Sequence, residues 1–282
     1  MPSSRGKKYY SLDRNITQGR ERAGGDNFFL AKKALGQNWL RSNKALRAII
    51  KAAELTPQDA VLEIGPGAGF LTAALLQNAG RVIAVEKDTR LIAYLQEKFA
   101  PDIASGKLEL ICGDILKFEA KKAGYKLVSN IPYYLTGAIL KKFLTAENQP
   151  QMMVLMLQKE VAERIVARDE KESILSISIK AFGEPEYVEK VPAGAFSPPP
   201  KVDSAILRLK NISRERLKNI DEVAFFTLLK KGFGQKRKML KNALGKQSVP
   251  LLTKCKISLT ARAEELSLDD WRCLTRNKSW FK

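Results

Sequence analysis

The chain has 282 residues, 45% of them apolar, with a formal net charge of +19 and no histidine. That length suffices for one large domain or two, and with no long uncharged apolar run it excludes a helical membrane span, so a soluble globular protein is expected. The absence of histidine removes Ser-His and Cys-His nucleophile systems and most catalytic zinc sites, so no metal is expected. The three cysteines, Cys112, Cys255 and Cys273, lie far apart without C-x-x-C pairing, so neither a disulfide framework nor a zinc ribbon is expected and a reducing, cytoplasmic setting fits.

The charge is unevenly placed. Residues 1–34 carry 8 basic and 3 acidic side chains, residues 35–207 carry 22 and 20, and residues 208–282 carry 19 and 7. A near-neutral middle between basic ends points to a ligand-binding or catalytic core with polyanion-binding flanks, the alternative being lysine-rich faces that only keep the protein soluble.

In chain order, residues 1–27 are polar, lack periodicity and are expected to form a disordered basic extension that is not a secretory signal. Ser42 reads as the N-cap of a helix through Glu54, with Leu46, Ile49, Ile50 and Ala53 on one face. From Ala60 short apolar strands alternate with helices. Strands are expected at 60–64, 81–86, 108–112, 126–129 and 152–157, with helices at 70–78, 88–99 and 136–144 and from the fifth strand through Ala167. This alternation indicates a parallel, doubly wound sheet. A helical stretch at 174–182 then precedes strands at 186–191 and 204–209, read as an antiparallel addition at the sheet edge. After Asn211 the character changes to Lys/Arg-rich helices at 222–231, 238–244 and 261–274, which places a boundary near 210.

The chemistry gathers at the strand ends. Glu63-Ile64-Gly65-Pro66-Gly67-Ala68-Gly69 follows the first strong strand and opens a helix, where glycines permit a tight turn and close ligand approach. Glu86 ends the next strand, where a carboxylate can accept both ribose hydroxyls. Asp114 follows the third strand and can take the exocyclic amine of an adenine. A dinucleotide would place similar groups, but the spacing is G-x-G-x-G and Glu63 would be unwelcome near a pyrophosphate, which favours S-adenosylmethionine. Each carboxylate singly reads as well as a helix cap or surface charge; three at successive strand ends are harder to dismiss. Asn130-Ile131-Pro132-Tyr133 ends the fourth strand on the same edge. It offers a side-chain amide, a carbonyl aimed by proline and an aromatic face, all suited to a planar heterocycle, though Asn and Pro are also ordinary turn residues.

Asn-Ile-Pro-Tyr resembles the [N/D]-[P/L/I]-P-[Y/F/W] motif of amino-methyltransferases acting on adenine N6. Further blocks are similar to those of one family: Leu35-Gly36-Gln37-Asn38-Trp39-Leu40, Val154-Leu155-Met156-Leu157-Gln158-Lys159-Glu160-Val161, Phe196-Ser197-Pro198-Pro199-Pro200-Lys201-Val202-Asp203-Ser204, and Phe233-Gly234-Gln235-Lys236-Arg237-Lys238-Met239-Leu240. Across about residues 28–245 the chain resembles the rRNA adenine N6,N6-dimethyltransferases, closest to the bacterial small-subunit enzymes. The triple proline favours these over the large-subunit, macrolide-resistance branch. Trp39 stands where the family usually has Phe, and Ala68 and Phe70 depart from its glycine loop.

The resemblance implies a Rossmann-like S-adenosylmethionine-dependent methyltransferase sheet over residues 28–210 and a small basic helical RNA-binding domain over 211–282. It implies a cofactor site of Asn38, Leu40, Gly65, Glu86, Asp114 and Asn130, and a catalytic group of Asn130, Ile131, Pro132, Tyr133 and Phe196, in which Tyr133 and Phe196 sandwich the target adenine. Without the resemblance Phe196 has a lesser alternative reading as a core plug. RNA contacts fall to Lys201, Lys236, Arg237 and Lys238. The implied activity is dimethylation of N6 on two adjacent adenosines in a hairpin loop near the 3′ end of small-subunit (16S) rRNA, by a cytoplasmic monomer acting in small-subunit biogenesis. The alternatives are a large-subunit (23S) rRNA adenine N6-methyltransferase and a non-catalytic ribosome-assembly or RNA-binding factor.

Overall fold

The computed structural model describes residues 36–235 and 237–276; the expected extension of residues 1–27 and the candidate Lys236 lie outside them. A two-residue strand β1 (Trp39–Leu40) leads into helix α1 (Asn43–Ala53). Ser42 caps α1 by accepting a hydrogen bond from the Ala45 amide, and the helix buries Ala45, Leu46, Ile49, Ala52 and Ala53. The alternating unit then runs β2 (Ala60–Ile64), α2 (Phe70–Asn78), β3 (Arg81–Glu86), α3 (Thr89–Lys98), α4 (Ala100–Ala104) and β4 (Leu108–Cys112). It continues through β5 (Lys126–Asn130), α5 (Thr136–Thr145), β6 (Met152–Gln158), α6 (Lys159–Val166) and α7 (Ile174–Lys180). Strands β7 (Glu184–Val191), β8 (Phe196–Ser197) and β9 (Ser204–Lys210) follow. The rest is helical: α8 (Glu222–Phe233), α9 (Leu240–Leu244), α10 (Val249–Lys254) and α11 (Leu268–Arg276).

Seven strands form one sheet in the order β4-β3-β2-β5-β6-β9-β7. The first five are parallel, and β9 and β7 add antiparallel at one edge, as the pattern of apolar runs predicts. The run Met153–Leu157 in β6 is fully buried because helices cover both faces of a parallel sheet. Alternate residues feed two apolar layers: Val61, Val82, Val128 and Val154 face α1, α2 and α3, while Leu62, Val85, Leu127 and Leu155 face α5, α6 and α7. The second layer extends without a break into the C-terminal helices through Phe225, Leu229, Trp271 and Leu274. A separate two-stranded sheet pairs Trp39 with Ser197 and Leu40 with Phe196, which ties the start of the described chain to the segment before the triple proline.

Two expectations are corrected. Residues 261–274 are not one helix: a short turn at Ala263–Glu265 precedes α11. The break falls at Ser267, whose hydroxyl accepts from the Asp270 amide while the Asp270 carboxylate accepts from the Ser267 amide, a reciprocal cap that starts a new helix. The cysteines also do not all stand apart. Cys255, just after α10, and Cys273 in α11 form a disulfide, because both helices pack into the same apolar layer and bring the Cα atoms to 5.9 Å; Cys112 is free. Spacing along the chain concealed this pair.

A bond closing an 18-residue separation is worth roughly 3 kcal/mol by chain entropy. Reductant is therefore expected to lower the wild-type urea midpoint, and Cys273→Ser should start from the lower midpoint and be indifferent to reductant.

Candidate active site

Strand order reverses around β2: the chain steps outward from β2 through β3 to β4, then returns to place β5 on the other side of β2. Open α/β sheets bind ligands in the crevice left beyond the carboxyl ends of the strands at such a point. Here that crevice is a cavity of about 340 Å³. Asn38, Gly65, Glu86, Asp114, Asn130, Ile131, Pro132 and Tyr133 all line it, so most residues singled out in the sequence converge on one place. Leu40 and Phe196 do not line it: they lie opposite each other in the β1–β8 pair, and Phe196 is only 4% exposed, a core plug in this conformation. Lys201, Arg237 and Lys238 are exposed and lie outside the cavity lining.

The glycine loop needs its glycines for different reasons. Gly65 has φ +62°, and a Cβ there would meet no protein atom within 4 Å, so the glycine permits the left-handed turn and keeps the cradle open. Gly67 has φ +58° and is crossed by the Trp39 indole, 3.0 Å from where a Cβ would stand. Lys98 Nζ donates to the Ala68 carbonyl at 2.7 Å and holds the loop from α3.

Glu86 anchors the loop to β3. Its Oε2 accepts from the Gly67 amide at 3.2 Å and its Oε1 from the Asp88 amide at 2.8 Å, which leaves lone pairs on both oxygens for a pair of hydroxyls. Burial raises its pKa against the effect of these hydrogen bonds. Asp114 accepts from Lys87 Nζ at 2.8 Å and from the Leu116 amide at 3.0 Å, and the Lys87 hydrogen bond leads the causes that hold its carboxyl below the usual range. The carboxylate is thus fixed as an anion at the cavity rim.

Asn130 is oriented by its own hydrogen bond. Its Nδ2 donates to the Asn38 carbonyl at 2.9 Å, and Asn38 Nδ2 in turn donates to the Gly36 carbonyl at 3.3 Å. That bond fixes the orientation of the amide and leaves its oxygen as the acceptor, beside one remaining N–H, for a ligand. Ser129 Oγ donates to the Ile64 carbonyl at 2.6 Å, which locks the end of β5 to the end of β2. The Tyr133 hydroxyl shares a 2.6 Å hydrogen bond with Ser204 Oγ, and burial raises its pKa. Gln37, Trp39, Lys87 and Tyr134 also line the cavity and were not singled out for it from sequence. Tyr134 and Lys87 each directly follow a residue that was, and Ser204 closes the Lys-Val-Asp-Ser block. Adjacency was the only signal.

Glu63 behaves differently from its neighbour. It points from β2 into the layer under α2, 1% exposed, and Oε2 has no partner; the Thr72 hydroxyl lies close without hydrogen-bond geometry. Burial pushes its pKa up to about 8, Thr72 offsets this in part, and the negative charge of Glu86 adds to the rise.

The fold and the strand-end carboxylates define an α/β protein of the nucleoside-cofactor methyltransferase type. The ribosomal RNA adenine dimethylase family model matches residues 28–277. The chain is 44% identical over 256 residues to the ribosomal RNA small subunit methyltransferase A of Dehalococcoides mccartyi, covering 86% of this chain and 87% of that protein. It is 40% identical over 266 residues to the protein of the same name from a Nostoc species, covering 85% and 95%. Among solved structures, the 23S rRNA methyltransferase ErmE superposes with a TM-score of 0.71 at 29% identity, covering 85% of this chain and 99% of that one. A dimethyladenosine transferase from Plasmodium falciparum gives 0.70 at 29%, covering 84% and 95%. The chain belongs to the ribosomal RNA adenine dimethylase family, whose cofactor is S-adenosylmethionine. The cavity fits that molecule: an open glycine cradle, a paired-hydroxyl acceptor in Glu86 and an amine acceptor in Asp114.

Glu63 also gives a pH signature. Between its ordinary value near 4.5 and about 8 the folded state keeps a proton that the unfolded state releases. Stability is therefore lost as pH rises through this window, by at most about 1.4 kcal/mol per pH unit. Glu63→Gln should lose less melting temperature than wild type between pH 5 and pH 8.5, and parallel curves would refute the assignment.

Proposed function

We propose that this chain dimethylates N6 of two adjacent adenosines in a hairpin loop near the 3′ end of small-subunit rRNA, as a cytoplasmic monomer acting on the assembling subunit. The observation that carries the reading is the oriented Asn130 amide at the end of β5, beside the cavity bounded by Gly65, Glu86 and Asp114. We assign Asn38, Gly65, Glu86, Asp114 and Asn130 to the cofactor site, with Leu40 supporting it from β1.

Adenine N6 is a weak nucleophile because its lone pair is delocalised into the ring. In this reading Asn130 Oδ1 and the Ile131 carbonyl accept the N6 hydrogens and hold the nitrogen as it becomes tetrahedral, with Pro132 fixing the carbonyl's direction. The bound cofactor supplies the electrophilic methyl group. The displaced N6 proton passes to water, and no side-chain base is required of a chain without histidine. Tyr133 offers the turned-out base a stacking face worth about 1–3 kcal/mol. Phe196 supplies the second face only once it is uncovered from Leu40.

We assign residues 28–210 to the cofactor-binding unit and 211–282 to an RNA-gripping unit, where Arg237 and Lys238 are exposed. Lys201 and Lys236 join them as candidate phosphate contacts. Identity of 40–44% to proteins named for the small subunit, against 29% to ErmE, supports the small-subunit target. The ErmE superposition makes large-subunit rRNA the second reading.

Incubation with labelled cofactor and undermethylated small or large subunits, followed by mapping of labelled adenosines, decides between them; label confined to the large subunit overturns the proposal. Asn130→Ala should cut methyl transfer by about 10²- to 10³-fold with an unchanged circular dichroism spectrum and with cofactor binding measured separately; near-normal turnover would sink the mechanism. Neutralising Arg237 and Lys238 together should flatten the slope of log affinity against log salt by roughly 1.4 to 1.8, and an unchanged slope removes them from the interface.

A further inference from the structure

Trp39 stands where the family resemblance leads one to expect phenylalanine, and its ring lies in the wall of the cofactor cavity. A phenylalanine would fill much of the same space; the indole adds one N–H. That N–H is shielded from water and has no hydrogen-bond partner. Leaving such a donor unpaired carries a desolvation penalty that phenylalanine would avoid. The carboxamides near it each have one N–H engaged. Gln37 donates to Asp88, Asn38 to the Gly36 carbonyl, and Asn130 to the Asn38 carbonyl. Lys87, the one cationic side chain in the lining among the described residues, is tied to Asp114 at the rim.

The position of the indole narrows the choice of acceptor. Its edge crosses Gly67, with Nε1 3.2 Å from the place of a Cβ on that residue. Trp39 follows Asn38, whose carbonyl holds Asn130, so it belongs to the Asn130 end of the cavity and not to the Asp114 end. With Glu86 taking ribose and Asp114 taking adenine, the group left for the Asn130 end is the amino acid moiety of the cofactor, which carries a carboxylate. Among the described residues of the lining that anion meets no uncommitted cation. A neutral N–H donor aimed at it would stabilise it without adding a charge that repels the sulfonium.

We propose that Trp39 Nε1–H donates a hydrogen bond to the cofactor's carboxylate and so makes this chain selective for ligands that keep the amino acid end. The inference rests on the reading that S-adenosylmethionine occupies this cavity. The glycine loop lies against this edge of the indole, and Gly67 presents no side chain there, so in this reading a small outward shift of the loop on ligand entry completes the bond. Trp39 is in this sense a positioning residue for the cofactor.

Calorimetric titration of wild type and Trp39→Phe with S-adenosylhomocysteine and with methylthioadenosine, which lacks the amino acid end, tests it. Trp39→Phe should weaken S-adenosylhomocysteine about five- to tenfold and leave methylthioadenosine unchanged. Equal losses for both ligands would mean that the ring serves packing alone, and no loss for either would also overturn the proposal. Should the variant fold poorly, the wild-type indole ¹⁵N–¹H resonance of Trp39 provides a second reading. It should move downfield with S-adenosylhomocysteine and not with methylthioadenosine; an identical response to both refutes the bond. Failure of wild type to bind either ligand would instead overturn the cofactor reading, and this inference with it.

Discussion

The site depends on one hydrogen bond, from Asn130 Nδ2 to the carbonyl of Asn38, joining residues 92 apart in the chain. Its net energy is small, about 1 kcal/mol for a typical pair. Its geometric effect is larger, because an asparagine amide offers donors on one side and an acceptor on the other, and this bond decides which side faces the cavity. The Asn38 carbonyl is in place because β1 pairs with β8 and because the Arg41 amide donates to the Ala195 carbonyl at 2.8 Å. The orientation of the Asn130 amide is therefore set from outside the main sheet.

Much of the fold was legible because the physics behind it is local. Strands buried on both faces must be apolar throughout, so Met153–Leu157 announces itself; Ser42 and Asp88 announce helix starts because their side chains satisfy amides at the first turn. The strand-end residues Gly65, Glu86, Asp114 and Asn130 were legible for the same reason, each falling where an apolar run stops. What escaped depends on distant partners. A two-residue strand such as β1 has no period to read, and its partner lies far along the chain. Cys255 and Cys273 meet only because two helices share a core. That Phe196 is buried against Leu40 and not at the cavity is likewise a packing outcome invisible to a motif. The cap at Ser267 was local and readable, since Ser267 and Asp270 have capping-box spacing.

Glu63 and Glu86 show how position along adjacent parallel strands separates two chemically similar carboxylic acids. Glu86 ends its strand where two backbone amides meet it. Glu63 lies one residue inside its strand end and points into the layer beneath α2, where no donor satisfies Oε2. One acid can accept ligand hydroxyls; the other is kept neutral near pH 7 by its surroundings. The pattern Glu-x-Gly-x-Gly thus places its acid behind the loop, away from the ligand it serves.

The apolar layer that continues from the sheet into α8–α11 bears on modularity. Ile131, next to Asn130, belongs to that same layer, together with Phe225 and Trp271 of the C-terminal helices. An exchange of those helices between relatives would replace part of the foundation under the end of β5, where Asn130 stands. The C-terminal helices and the end of β5 are therefore not separable cassettes in this architecture, and a graft would have to carry its own matching underside of the sheet.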